Sequence, residues 1–480
     1  MSSKNHSVEK IGGTTMSKVH DLLDPMFIGD RAKADIYNRV FVVSAFGGIT
    51  NLLLEHKKSG EQGVYALFIN DDDDHGWLDA LNTVSQEMRR IHADVLEHKA
   101  DMQLADDFVR ERIEGARSCL FDIQRICSYG HFRMSTQLMV IRELLSGLGE
   151  AHSAFVTSLL LQRRGVAARF VDLTGWRDEA EHTLEERIAA GLDDIDFSEE
   201  LPIVTGYAQC SEGLMKEFDR GYSEVTFSRI AAHTQASEAV IHKEFHLSSA
   251  DPKAVGAENV VKLGRTNYDV ADQLSNMGME AIHPSAAKTL RQAGVPLRVA
   301  NAFEPEDPGT LIDDQPADAP GVEIVTGLNI FSIELYEQDM VGVKGYDARI
   351  LEVLSKHNLW IVSKSSNANT ITHFVSATRD KVRRVVEELE GLYPSATVTE
   401  RALSLVSVIG RDLTGLRVLS RGLRALDEQD IDVIAAQQTS RRVDCQFVVE
   451  REKMDRAIKA LHDMFFSAEN SSERPDLKVA

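Results

Sequence analysis

Three short segments of this 480-residue chain join residue types that can handle phosphate and a small charged substrate. The first is Lys10-Ile11-Gly12-Gly13-Thr14, directly behind a polar N-terminus. Paired glycines let backbone N–H groups approach phosphate oxygens, and a lysine supplies a point charge for a moving phosphoryl group. Gly-Gly is also a common turn, so the pentapeptide alone decides little. The second, Val-Val-Ser-Ala-Phe-Gly-Gly-Ile-Thr-Asn at 42–51, is a β-rich run ending in two glycines and the hydroxyls of Ser44 and Thr50. That composition suits an anion cradle at the C-terminal edge of a sheet, though a tight strand-to-helix connection selects the same residues. The third, Gly147-Leu148-Gly149-Glu150-Ala151-His152-Ser153, reads as the start of a helical run. Glu150 there can hold the ammonium group of an amino acid, or simply be a carboxylate favoured by the helix dipole.

Elements that position these segments can be read around them. Residues 8 to 312 alternate β-rich runs with helical patterns, the rhythm of an α/β domain with a covered sheet. Strands are expected at 40–44, 168–172, 202–206 and 297–300, and helices around 78–100 and 104–127. The run Asp71–Asp74 with His75 resembles a metal site, but four adjacent carboxylates cannot all point at one ion, and a solvated loop is expected. A breaker-rich stretch from Asp313 to Gly321 then marks a boundary. Beyond it a small β-α-β-β-α order occurs twice, about 72 residues apart. The first copy is carried by Phe331, Ile333 and Leu335, then strands at 360–362 and 373–375, then a helix bearing Val382, Val385, Val386 and Leu389. The second begins at 403–409, continues with Leu416, Leu419, Leu423 and Leu426, and ends on a helix with Met454, Ile458, Leu461 and Phe465.

Bulk properties exclude several classes. A formal charge of −22 opposes nucleic-acid binding, and any anion site must concentrate positive charge locally. The four cysteines lack paired metal-ligand spacing and are expected to be reduced. No run reads as the roughly 20 apolar residues of a membrane span, and the start lacks the apolar stretch of a signal peptide. A cytoplasmic chain without membrane or nucleic-acid partners is the expectation.

In their order and spacing the three segments resemble the aspartokinases of the amino-acid kinase superfamily. Downstream, Val204-Thr205-Gly206-Tyr207, Ala250-Asp251-Pro252-Lys253, His283-Pro284 and the run from Asn301-Ala302-Phe303 to Pro308-Gly309-Thr310 also match that family. The C-terminal repeat resembles a pair of ACT domains, and the likeness spans about residues 8 to 468. It implies an α/β fold: a three-layer αβα amino-acid kinase domain (1–312), a linker (313–322), tandem ferredoxin-like βαββαβ ACT domains (323–400 and 401–470) and a tail (471–480). It implies an enzyme that moves the γ-phosphoryl group of ATP, with Mg2+, to the β-carboxylate of L-aspartate, giving 4-phospho-L-aspartate. Carried over by position, Lys10 would stabilise the moving phosphoryl group and Gly12 and Gly13 would offer backbone donors. Ser44 and Thr50 would face phosphoryl group and substrate, and Glu150 would hold the aspartate ammonium. Arg220 would clamp the α-carboxylate, helped by Ser223, with Glu224 keeping a family charge on a longer arm. Lys243 and Lys253 would serve the nucleotide. A homo-oligomer paired through ACT domains is implied, as is an amino-acid effector near Gly342-Val343-Lys344-Gly345 or Arg411-Asp412-Leu413.

The chain departs from the family on the nucleotide side. Tyr222 stands for a glycine, His242-Lys243-Glu244-Phe245-His246 for the usual Thr-Asp-Val-Asp-Gly, and Glu280 for a lysine that meets ATP. Lys243, Lys253 or Lys262 are the available replacements. These changes resemble a divergent branch associated with ectoine synthesis, which the acidic composition would suit. They also motivate a second reading, a catalytically weak regulatory or amino-acid-binding subunit.

Overall fold

A parallel strand buried on both faces needs apolar side chains at successive positions rather than alternate ones. Arg39–Val43 (β2) and Leu201–Thr205 (β4) meet that requirement, being buried at every residue. They belong to a computed structural model that describes residues 6–29, 33–56, 59–70, 76–218, 221–279 and 282–466. The other strands of this half are β1 (Ser7–Ile11), β3 (Ala168–Val171), β5 (Glu238–Lys243), β7 (Leu297–Asn301) and β8 (Thr310–Asp313), with β6 (Arg265–Asn267) assigned below. The expected strands at 40–44, 168–172, 202–206 and 297–300 are present within a residue of those bounds.

By contacts the chain forms two units, Met1–His246 with Ile282–Asp313, and Leu247–Ala281 (which includes β6) with Asp314–Ala480. In the first unit the strands run in the order β3-β4-β2-β1-β5-β7-β8, parallel throughout except for the antiparallel β7–β8 pair. Register places Lys10 on β1 opposite Val42 on β2 and Ile241 on β5, so neighbouring strands end together. The loops leaving β1, β2, β4 and β5 therefore converge outside the carboxyl edge of the sheet, where open α/β folds bind ligands.

The helix Leu138–Arg163 packs on this sheet and corrects one expectation. Glu150 is not near a helix start; it lies in the middle of this 26-residue helix. Glycine at 147 and 149 reads as a break, yet a Cβ on Gly149 would come within 2.9 Å of the Ala45 Cβ. Gly149 thus permits the helix to press against the loop after β2 instead of ending it. The same helix is long and apolar enough to cross a membrane by length and composition, against the expectation that no run would be. In this structure 89% of its most apolar stretch is buried inside the protein, as in a core helix. Asp71–His75 and the tail 471–480 lie outside the described residues.

The second unit is built on a six-stranded antiparallel sheet. Its strands are β9 (Ile324–Tyr336), β10 (Trp360–Ser366), β11 (Thr370–Ser376), β12 (Thr397–Ile409), β13 (Val433–Gln438) and β14 (Asp444–Glu450), in the order β10-β11-β9-β12-β14-β13. β9 and β12 are 13 residues each and pair along their full length, Tyr336 opposite Thr397 to Ile324 opposite Ile409. β11 pairs only with residues 331–336 of β9, and β14 only with residues 403–409 of β12. Each βαββα repeat thus obtains its fourth strand from one half of the other repeat's long strand; in chain order this gives βαββαβ for the first repeat, while the second borrows a strand that precedes it.

Alternation along β9 sorts its two faces. Phe331, Ile333 and Leu335 join the helix-covered core with Val353, Val382, Val385 and Leu389, while Val325 joins that of Phe447 and Leu461. Ile324 and Ile330, on the opposite face, pack with Leu405 and Ile409 against Leu263, Val270, Leu274 and Met277. The segment Leu247–Ala281 therefore covers part of the helix-free face, which is why it groups with this sheet.

Candidate active site

Strand β1 delivers Lys10 as the penultimate residue before the glycine turn. Behind it β1 is pinned by a buried network. Glu9 Oε1 accepts from Arg39 Nε at 2.7 Å, and Glu9 Oε2 lies 2.7 Å from His242 Nε2. Burial would raise the Glu9 carboxyl, but Arg39 and His242 outweigh it and hold the group well below the ordinary carboxylate range. Charges on three adjacent strands, β1, β2 and β5, are thereby locked on the side away from Lys10.

The Lys10 ammonium lies 3.3 Å from Glu224 Oε1, and Lys243 Nζ lies 3.9 Å from the same oxygen. The other oxygen, Oε2, accepts the backbone N–H of His283 at 2.5 Å. Burial pushes the Glu224 carboxyl up, but Lys10, Lys243 and the His283 N–H prevail and it stays below its ordinary value. Two ammonium groups thus gather around one carboxylate at the strand ends, in a chain whose overall charge is −22. A Cβ on Gly12 would stand 3.8 Å from Lys10 Nζ, so the ammonium lies beside the glycine turn. Gly12 is the N-cap of the short helix Gly13–Met16.

Glu150 approaches from the opposite wall. It is buried, and its Oε1 accepts from Ser223 Oγ at 2.7 Å, while Oε2 has no hydrogen bond of full geometry. Burial dominates and pushes this carboxyl up to about 8, against the opposing pull of Ser223, Lys10 and the backbone N–H groups of Tyr207 and Ala45. An unsatisfied buried carboxyl oxygen is costly, and a cationic ligand would satisfy it. Gly206, just after β4, lets this happen: a Cβ there would stand 2.7 Å from Glu150 Oε2 and 2.9 Å from the Ser223 Cβ. Gly206→Ala is expected to destabilise the protein by about 1–3 kcal/mol, as overpacking does, and to weaken substrate binding more than turnover. Denaturant melts beside saturation curves check it; an unchanged KM would mean the Glu150 pocket is not the binding site.

Ser44 follows β2 and links walls: its N–H donates to the Ile11 carbonyl at 3.1 Å, and its carbonyl accepts from Ser153 Oγ at 2.8 Å. Thr50 is the second residue of the helix Ile49–Leu53 and is half-buried. The structure thus brings together Lys10, Gly12, Glu150, Ser223, Glu224 and Lys243. Arg220 and Glu280 lie outside the described residues. Lys253 is exposed in the short helix Pro252–Val255 of the second unit, and Lys262 belongs to that unit as well.

Thr15 escaped the sequence analysis, and His283 entered it only within the His283-Pro284 match. Thr15 Oγ1 donates to Glu244 Oε1 at 2.8 Å, joining the glycine turn to the end of β5; a second hydroxyl after Gly-Gly-Thr was the available signal. The His283 N–H on Glu224 had no signal, because a backbone donor has no sequence signature. Tyr222, a departure near the ligand by sequence, is buried and packs edge-on against Tyr207 with centroids 5.5 Å apart. It fills the core of the helix Tyr222–His233.

A model of the amino acid kinase family matches residues 6–301. Over 98% of this chain and 99% of the relative, the sequence is 51% identical to "Aspartate kinase Ask_Ect" of Stutzerimonas stutzeri (strain A1501). It is 25% identical to chloroplastic aspartokinase 3 of Arabidopsis thaliana, over 90% of this chain and 76% of that one. Among solved structures, E. coli aspartokinase III in complex with lysine and aspartate superposes with a TM-score of 0.71 at 20% identity, covering 96% of this chain and 100% of that one. The same enzyme with aspartate and ADP gives 0.68 at 19%, with the same coverage.

Proposed function

We infer the reaction from the premise just established: this chain belongs to the amino acid kinase family and, within it, to the aspartate kinases. It is an ATP-dependent aspartate kinase, forming 4-phospho-L-aspartate. The observation that supports this most directly in the structure is the pairing of a two-lysine cluster, Lys10 and Lys243 on Glu224, with the buried Glu150 pocket.

In the mechanism we assign, Glu150 takes the aspartate ammonium and Ser223 orients Glu150. Arg220 is proposed for the α-carboxylate as a bidentate fork. A β-carboxylate oxygen attacks the γ-phosphorus in line, one O–P bond forms, and the bond to the ADP oxygen breaks. No proton moves, because the nucleophile is already an anion. Catalysis then rests on positioning and on neutralising charge. Lys10, with Gly12 and Gly13, meets the moving phosphoryl group, and Ser44 and Thr50 line the approach. Lys243 is the lysine we assign to the nucleotide; Lys253 is given that role by the family resemblance alone. Mg2+ would sit among phosphate oxygens and waters and neutralise the leaving group, needing few protein ligands.

We further propose, along the sequence, a kinase domain to 312, a linker to 322, two ACT domains meeting at 400/401 within the shared strand β12, and a tail from 471; residues 247–281 of the kinase stretch group by contacts with the ACT sheet. On this reading the ACT pair carries an amino-acid effector site and joins copies of the chain. The departures in the nucleotide segment and the acidic composition favour a role in ectoine synthesis.

The test is a hydroxylamine trap with purified protein, ATP, Mg2+ and L-aspartate. Hydroxamate that depends on aspartate supports the assignment. Protein that binds aspartate but forms no hydroxamate across pH and salt would instead be a regulatory subunit.

A further inference from the structure

The helix Leu138–Arg163 carries a second carboxylate, Glu143, that the mechanism leaves unused. Glu143, Gly147 and Glu150 stand at i, i+4 and i+7, so they share one face of that helix. The Tyr207 ring lies on this face between the two carboxylates: a Cβ on Gly147 would stand 3.2 Å from Tyr207 Cδ1. Tyr207 is buried, with its backbone N–H toward Glu150 and its hydroxyl toward Glu143. Glu143 Oε1 also accepts the N–H of Met215, in the helix Leu214–Phe218, at 3.1 Å. A Cβ on Gly213 would stand 3.2 Å from the same oxygen, so the chain passes close to the carboxylate there. At its far end the stretch returns to Glu150 through Ser223 Oγ, while Tyr222 packs edge-on against Tyr207. One helix thus holds residues 207–223 at both ends through Glu150, and at Tyr207 and Met215 through Glu143.

Filling the core does not require the Tyr207 hydroxyl, since phenylalanine has the same ring. What needs holding is visible at Glu150. Its Oε2 is buried without a hydrogen bond, although the N–H groups of Tyr207 and Ala45 face the carboxylate. An unmet buried acceptor favours any shift that brings a donor onto it. Tyr207 is fastened at its far end, which keeps its N–H from making that shift.

We propose that Glu143 and the Tyr207 hydroxyl are positioning residues of the aspartate pocket, holding the stretch 207–223 open so that Glu150 Oε2 stays free for the substrate ammonium. The inference rests on the assignment of Glu150 to that ammonium. Arg220, proposed above for the α-carboxylate, belongs to the same stretch by sequence. Without the Glu143 tie, the Tyr207 N–H closes on the Glu150 carboxylate. That bond stabilises the ionised form, so it competes with aspartate and lowers the titration of Glu150 by the same factor.

Calorimetric titration of L-aspartate into the full chain at pH 6.5 and 8.5 tests this without depending on turnover. Tyr207→Phe, which removes one oxygen, should weaken aspartate binding about tenfold at pH 8.5, the worth of one hydrogen bond to a charged group. At pH 6.5 the loss should shrink below about twofold, because Glu150 then ionises more readily in the variant. Glu143→Leu should do at least the same, and Glu143→Gln, which keeps an acceptor for both donors, should recover most of the affinity. Wild-type affinity in Tyr207→Phe at pH 8.5 would overturn the proposal. So would a loss equal at both pH values, which is what a merely structural role gives. Aspartate binding without hydroxamate would remove the kinase assignment and leave this inference standing, whereas no aspartate binding by the wild type would overturn both.

Discussion

Lys10→Ala is expected to lower kcat for acyl-phosphate formation about a thousandfold, with a much smaller rise in the aspartate KM. Removing one preorganised group aimed at developing charge costs about 10²–10³ in rate, and cationic groups on phosphoryl oxygens reach 10³–10⁵. The KM effect follows from geometry. The Lys10 charge also lowers the Glu150 carboxyl, so its loss makes the substrate pocket less anionic. The substitution leaves Glu224 with Lys243 as its remaining lysine partner, so a melting curve must accompany the kinetics. Steady-state hydroxamate assays decide the matter. A variant with kcat within tenfold of wild type would remove Lys10 from the phosphoryl site.

Glu150 should make aspartate binding depend on pH in a defined direction. In the empty site its carboxyl is pushed up to about 8 by burial, so below that pH it is mostly protonated. The aspartate ammonium requires the carboxylate. Binding must therefore strengthen as pH rises toward 8, roughly tenfold per unit, and then level off. The empty protein behaves in the opposite sense. A folded value raised above the unfolded one gives stability that is full below the ordinary carboxyl range and is lost as pH rises through about 8. Glu150→Gln should raise KM about a hundredfold, as unpairing a buried charge does, and abolish the slope. Aspartate KM measured from pH 6.5 to 8.5 in both proteins is the check; parallel profiles would show that another group titrates.

The sequence revealed the strands buried on both faces and the glycine turn after Lys10, because both depend on local composition. It placed Glu150 at the wrong point of its helix, because Gly149 is selected by contact with Ala45, a residue over a hundred positions away. β5 was hidden for a related reason. Glu238, His242 and Lys243 make it read as polar, whereas His242 is buried on Glu9 and Lys243 points to Glu224. The repeat was legible through its heptad-like helices and alternating strands. The grouping of 247–281 with the second sheet was not, since Leu263 and Leu274 gain their partners only when the helix-free face exists.

The shared strands β9 and β12 make the two C-terminal repeats a single cooperative body. Residues 324–330 close the sheet of the second repeat and residues 397–402 close that of the first. Severing the chain between the repeats would leave each with a missing strand and an open edge, the kind of surface that recruits other chains. Such a body has no half-folded state in which one repeat is intact. A perturbation at either repeat is therefore felt by both through the same 13 residue pairs.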